Sequence, residues 1–349
     1  MKNRTILLLS AMLIPFAMVG ANDEYDFSIT VKDDATGYPE SATLRFVILS
    51  DSEVSVYKII NEYPKENLWI TIPETVADDD GKEYTVVEIG DEASVYSDAD
   101  YETNKNIKGI NIPSTIKSIG DKAFKNLENL EEMNFPEGLT SIGAEAFKGC
   151  KSIKEINLPE TLGEVGERTF EECSSIKTIK VPDLITYIPM YFCNLCDNLE
   201  TVYIGENVKL IGFAFQCSLL SEVHIAAIEP PLVETATAFM SNKEITVYVP
   251  AGTLDSYKDK WGMIKGLVFE EESDGGQTAG MNSIGRTKLT VTQIGDNSLQ
   301  ICNIDGHLSV YSLLGTKVGE YFSKDAILNL PSGIYILKTD STVKKVIIH

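Results

Sequence analysis

The chain has 349 residues, with 30 Lys and Arg against 52 Asp and Glu, so its net charge is −22. With no basic patch to neutralise phosphates, this acidity excludes a nucleic-acid partner. Only three histidines are present, and none has a nucleophile and an orienting acid at a recognisable spacing, which leaves catalysis without a footing.

Lys2 and Arg4 precede an apolar run from Ile6 to Val19, the pattern of a signal peptide over 1–21. The run is short for a membrane span, and the alternative is a buried N-terminal strand. Val19 and Ala21 supply small residues before a cut at Asn22, with Gly20 an equal choice for the last residue removed. The first cysteine is Cys150, so no lipidated N-terminal cysteine is expected. Loss of the leader takes Lys2 and Arg4 and no acid, leaving 24 excess negative charges. Such charge keeps an extracellular protein soluble; calcium binding or repulsion of anionic surfaces stays open.

Residues 22–67 form an expected β-rich cap, with strands at Phe27–Val31, Thr43–Leu49 and Val54–Ile60. An irregular repeat follows at Ile70–Pro73 with Val87, Ile89–Gly90 and Ala93. It carries polar insertions near 78–82 and 96–106, read as decoration or a binding element. A block of 23 residues then recurs. Ile110–Pro113 leads to Ile119–Gly120 and Ala123–Phe124, Met133–Pro136 to Ile142–Gly143 and Ala146–Phe147, Ile156–Pro159 to Val165–Gly166 and Phe170, and Ile179–Pro182 to Ile188 and Phe192. The pattern loosens through Val202–Gly205, Val223–Ile225 and Val247–Pro250. This predicts an α/β repeat solenoid over 68–269 with about eight strand positions, each repeat holding one short strand and one turn or helix. Tyr257 and Trp261, four apart in a helix over 255–261, are expected to cover its open end. A linker over 270–283 leads to a small all-β, sandwich-like domain over 284–349.

Strand alternation turns Ile110 and Ile112 inward, with the same expected of the equivalent pairs up to Val247 and Val249. Phe124, Phe147, Phe170, Phe192 and Phe215 are expected to stack through the coils. Gly120, Gly143 and Gly166 are expected to relax the backbone at their turns. The segments Ile188–Phe192 and Ile211–Phe215 are one residue short, which predicts different local geometry there. Cys150, Cys173, Cys196 and Cys217, spaced 23, 23 and 21, fall one above another, and a buried thiol ladder is the simplest reading. Zinc or redox chemistry at Cys193–Cys196, or a disulfide between neighbouring repeats, are the alternatives; Cys302 stands alone.

The outward stripe is the candidate ligand-binding face: Asn111, Glu132, Asn134, Glu155, Asn157, Lys180, Tyr203, Glu222, His224 and Tyr248. Aromatic rings among amides and acids suit a protein partner or a sugar, and an ordinary polar sheet face is the bland alternative. Glu222 and His224 lie two apart on one strand, an expected surface pair rather than a catalytic dyad. No cofactor or metal set is present in the sequence, and the glycines at 275–276 and 315 lack phosphate-loop context.

The Ile-x-Ile-Pro, Ile-Gly-x-x-Ala-Phe, Cys repeat resembles the BspA-like leucine-rich repeats of Bacteroidetes surface proteins and some protists, over roughly Leu68 to Phe269. The resemblance implies a non-catalytic protein of the cell surface, outer membrane or medium that adheres to host matrix or bacterial proteins. A glycan-binding module or a structural surface protein are the alternatives. The tail, with Val310–Tyr311, Gly315, Ile327–Leu330, Gly333–Tyr335 and Lys344–Ile347, resembles a type IX secretion sorting domain, which implies export across the outer membrane.

Overall fold

The structure, a computed structural model, describes residues 25–31, 42–61, 68–94 and 104–272 and, beyond them, 290–295, 298–302, 308–312, 317–321, 326–331, 333–338 and 343–348. The leader, most of the 96–106 insertion, residues 273–283 of the linker, His307 and His349 lie outside the described residues.

The repeat winds into a β-solenoid whose coils meet along three sides. The first side is a parallel ladder of Leu68–Thr71, Ile107–Asn111, Glu132–Asn134, a single bridge at Ile156, Thr178–Val181, Thr201–Ile204, Glu222–Ile225 and Ile245–Val249. These are the eight expected positions, and Leu267–Glu271 adds a further parallel strand beyond them. The strand therefore takes the first two residues assigned to the linker. The second side pairs two-residue strands: Ser118–Ile119, Ser141–Ile142 and Glu164–Val165, then Tyr187–Ile188, Leu210–Ile211 and Leu232–Val233.

The third side corrects the α/β expectation, because among the described residues no helix forms between 107 and 249. Lys122, Glu145, Arg168 and Tyr191 adopt left-handed backbone, with φ from 54° to 60°, as do Asn126, Gly149, Glu172 and Leu195 four positions later. Left-handed residues cannot propagate a right-handed helix. Alternate N–H groups instead point at the neighbouring coil: Lys122, Phe124 and Asn126 donate to the carbonyls of Ala144, Ala146 and Lys148 at 2.8, 2.8 and 2.7 Å. The next coil repeats this, with Glu145, Phe147 and Gly149 donating to Glu167, Thr169 and Glu171.

The repeat glycines serve a different purpose from the one expected. Gly120, Gly143 and Gly166 are not among the positive-φ residues; the neighbouring coil simply comes too close for a side chain. A Cβ on Gly166 would lie 2.2 Å from the Ala144 nitrogen, against backbone that cannot yield.

Inside, the five repeat phenylalanines are fully buried, and Phe239 and Trp261 extend their column. Phe124, Phe147 and Phe170 stack with centroids 5.3 and 5.5 Å apart. At the shortened segments the packing changes to edge-to-face, Phe170 on Phe192 at 86° and Phe192 on Phe215 at 83°. Ile112 and Phe135 sit less deeply than the other inward residues, half-buried at the core's margin.

The thiols are buried and free. Cys150, Cys173 and Cys196 donate to the carbonyls of Phe124, Phe147 and Phe170 at 3.1, 3.2 and 3.1 Å, and Cys217 to that of Cys193 at 2.9 Å. The ladder runs between sulfur and backbone, with no disulfide among these five. Burial pushes the Cys150 thiol up to about 12.

Both ends of the coil are covered. Phe27–Val31, Ala42–Ile48 and Glu53–Ile60 form an antiparallel meander whose last strand joins Glu83–Ile89 in parallel. The 78–82 insertion is a hairpin tip: Asp78 Oδ1 accepts from the amides of Asp80 and Lys82, and Oδ2 from the Tyr84 hydroxyl. From the other insertion, Asn104 is buried and its Nδ2 donates to the carbonyls of Ile59 and Ser94. At the far end the helix Leu254–Trp261 buries Tyr257 and Trp261, as expected, and their polar tips reach the carbonyls of Ala227 and Pro231 at 2.6 and 2.9 Å. Further along the chain, antiparallel strands form one sheet of three (Thr290–Gly295, Ser298–Cys302, Ala326–Asn329) and one of four (Leu308–Ser312, Lys317–Tyr321, Gly333–Lys338, Val343–Ile348).

Gly166→Ala should destabilise the solenoid by about 2 kcal/mol, the scale of an overpacked site that cannot relax. Gly163→Ala, whose Cβ meets nothing within 4 Å, should leave the thermal unfolding midpoint near wild type. Alkylation at pH 8 followed by peptide mass analysis should find Cys150, Cys173, Cys193, Cys196 and Cys217 unmodified in the native protein and labelled once it is unfolded.

Candidate binding face

Parallel in-register pairing places equivalent residues side by side. Thr71, Asn111 and Asn134 align on one outward row, and Lys180, Tyr203, His224, Tyr248 and Glu270 continue it on the five-stranded sheet. The companion row holds Gly109 and Glu132, then Thr178, Thr201, Glu222 and Thr246. Asn111, Glu132, Asn134, Glu155 and Asn157 are exposed, whereas Lys180, Tyr203, Glu222, His224 and Tyr248 are half-buried. Asn111 Nδ2 donates to Thr71 Oγ1 at 3.0 Å. Lys180 reaches off the row to Glu160 at 2.5 Å.

The half-burial at one end comes from the rings covering each other. The His224 imidazole lies between Tyr203 and Tyr248, with centroids 4.7 and 4.5 Å away and interplanar angles of 21° and 13°. Strand spacing in a sheet brings neighbouring planar side chains to stacking distance, so three in-register rings stack along the ladder direction. Their inner π faces are therefore turned toward one another, and the stack presents its edges outward.

His224 has a closer partner than the one expected. Its Nε2 is 3.7 Å from Glu222, but its Nδ1 lies 2.6 Å from Oε1 of Glu272. The Glu272 side chain is only 7% exposed, and its Oε2 is buried with no hydrogen-bond partner. Sequence reasoning missed this contact because Glu272 lies 48 residues from His224 and in a stretch read as linker. It also missed Trp69, whose outward indole lies across Gly109 at the opposite end of the face. A Cβ there would meet Trp69 Cε3 at 2.4 Å. The legible signal was the outward position of Trp69, two before Thr71.

Burial raises the phenols of Tyr203 and Tyr248 above their ordinary value. Nearby carboxylates add to the rise, Glu222 and Glu272 for Tyr203, and Glu222, Glu270 and Glu272 for Tyr248. Among the described residues no group of three His, Cys, Asp or Glu side chains is placed to hold a metal ion. No helix among them is long and apolar enough to cross a membrane.

Residues 95–221 match the family model of the BspA type leucine rich repeat region, in six copies. No curated protein matches the chain. Among solved structures, it is similar to a leucine-rich cell surface protein of Faecalibacterium prausnitzii, with 20% identity and a TM-score of 0.47 over 80% of this chain and 60% of that one. A leucine-rich repeat protein of Bacteroides ovatus gives 19% and 0.41 over 68% and 67%, and one of T. pallidum gives 21% and 0.45 over 66% and 95%. The chain thus spans 60% of the first of these proteins.

His224→Ala should cost about 2 kcal/mol more than Lys180→Ala, because it strands the buried Glu272 carboxylate as well as opening the stack. Denaturation of the double variant with Glu272→Gln should recover part of that loss; simple additivity would contradict the coupling.

Proposed function

We propose that this chain is an exported, non-catalytic binding protein that holds a protein partner, from a host matrix or a bacterial surface, on the outward face of its solenoid. The observation that carries the reading is the ring stack of Tyr203, His224 and Tyr248. A sugar is recognised by an aromatic ring laid flat against it, and here the inner faces are spent on one another. Rigid, half-buried ring edges beside exposed amides and acids suit instead the centre and rim of a protein interface. The match of residues 95–221 to leucine rich repeats supports the same reading.

The leader-like run over 1–21 supports export. The cap at 22–67, the solenoid at 68–269 and the β region at 284–349 are the units we assign. The tail's resemblance to a sorting domain supports delivery to the outer surface. Deletion of 284–349 should then leave the protein inside the cell envelope, which surface labelling of the producing cells would detect.

Immobilised full-length protein should bind at least one member of a panel of matrix and bacterial surface proteins saturably. The Tyr203→Ser/Tyr248→Ser variant should weaken that binding by about ten-fold, the scale of losing aromatic anchors. Tyrosine-dependent binding to glycans alone would make the face a lectin. No saturable binding to either would leave a structural spacer.

A further inference from the structure

The C-terminal end of the face combines aromatic rings with carboxylates that lack a cation. Glu222 is 47% exposed on its side chain, and its one charged contact is His224 at 3.7 Å. Glu270, beside Tyr248 in the row, is exposed and forms no ion pair among the described residues. Glu272 lies behind the stack with one oxygen unpartnered. The nearest cation along the row, Lys180, is engaged by Glu160. The phenols of Tyr203 and Tyr248 are raised first by burial and then by these same carboxylates.

We propose that this end of the face binds a basic protein segment, with its arginine and lysine side chains seated between Glu222 and Glu270 against the Tyr203–His224–Tyr248 stack. A guanidinium can pair with a carboxylate through its planar N–H fork, two parallel bonds that an ammonium cannot make, so arginine is favoured over lysine. The exposed acids supply the charge complementary to such a segment, and the half-buried rings supply rigid apolar contact beside it. This deepens the protein-binding reading above by naming the partner's chemistry, and rests on it.

The test titrates the full chain with a fluorescein-labelled (Arg-Ser-Ser)4 peptide, with the Lys and Glu counterparts as comparisons. Expected are saturable binding of the Arg peptide, weaker binding of the Lys peptide and none of the Glu peptide. Glu222→Gln/Glu270→Gln should weaken Arg-peptide binding about ten-fold. Glu206→Gln/Asp259→Asn removes the same charge from exposed positions off the face and should change it less than about two-fold. Equal losses in the two variants would mean attraction to bulk acidity and would overturn the proposal, as would absence of saturable binding. If a matrix protein depends on Tyr203 and Tyr248 but tolerates Glu222→Gln/Glu270→Gln, the cationic partner is refuted while the protein-binding face stands.

Discussion

Each coil must pass its backbone hydrogen bonds to the next, on all three sides, and the rest of the molecule follows from that requirement. Backbone donors and acceptors buried without partners are costly, and a coil of 23 residues cannot satisfy them internally. Neighbouring coils therefore approach to ladder distance even where there is no strand, as between Phe124 and Ala146. At that distance Gly143 and Gly166 have no room for a Cβ. The left-handed residues at Lys122, Glu145, Arg168 and Tyr191 aim the alternate N–H groups across the gap. Cysteine fits the following turn because it is small and its thiol can still donate to a carbonyl one coil away.

The same spacing organises the interior and the outer face by one rule: like residues become neighbours. Inside, this gives a column of phenylalanines closed by Phe239 and Trp261. Outside, it gives an amide column at one end and three stacked rings at the other. Equivalent positions can also carry opposite charges that pair between coils. Glu128 meets Lys151 and Glu131 meets Lys154 across one repeat, at 2.6 and 3.1 Å. Exposed pairs of this kind add little each, so the burial of the apolar column carries the stability. The His224–Glu272 contact differs because its carboxylate is buried, which makes loss of its partner expensive.

Much of this was legible in the chain. The period of 23, the Ile-x-Ile alternation and the recurrent phenylalanine identified a solenoid, its inward side and its outward stripe, because these depend on contacts between equivalent positions of adjacent repeats. The one-residue deletions before Phe192 and Phe215 announced a change in geometry, and the rings do turn there. The helix that covers the end was also readable, from Tyr257 and Trp261 at a spacing of four.

What the sequence determined by itself is therefore the repeat, its core and the residues that share a face, all consequences of periodicity. Tertiary structure alone decided that the third side is a ladder of left-handed turns rather than a helix, since that depends on where a neighbouring coil offers its carbonyls. It also decided that Tyr203, His224 and Tyr248 cover one another's rings, and that Glu272 returns to His224 across 48 residues. Those contacts depend on the distance between coils and on where the chain leaves the last strand, and neither is encoded in a repeat's own pattern.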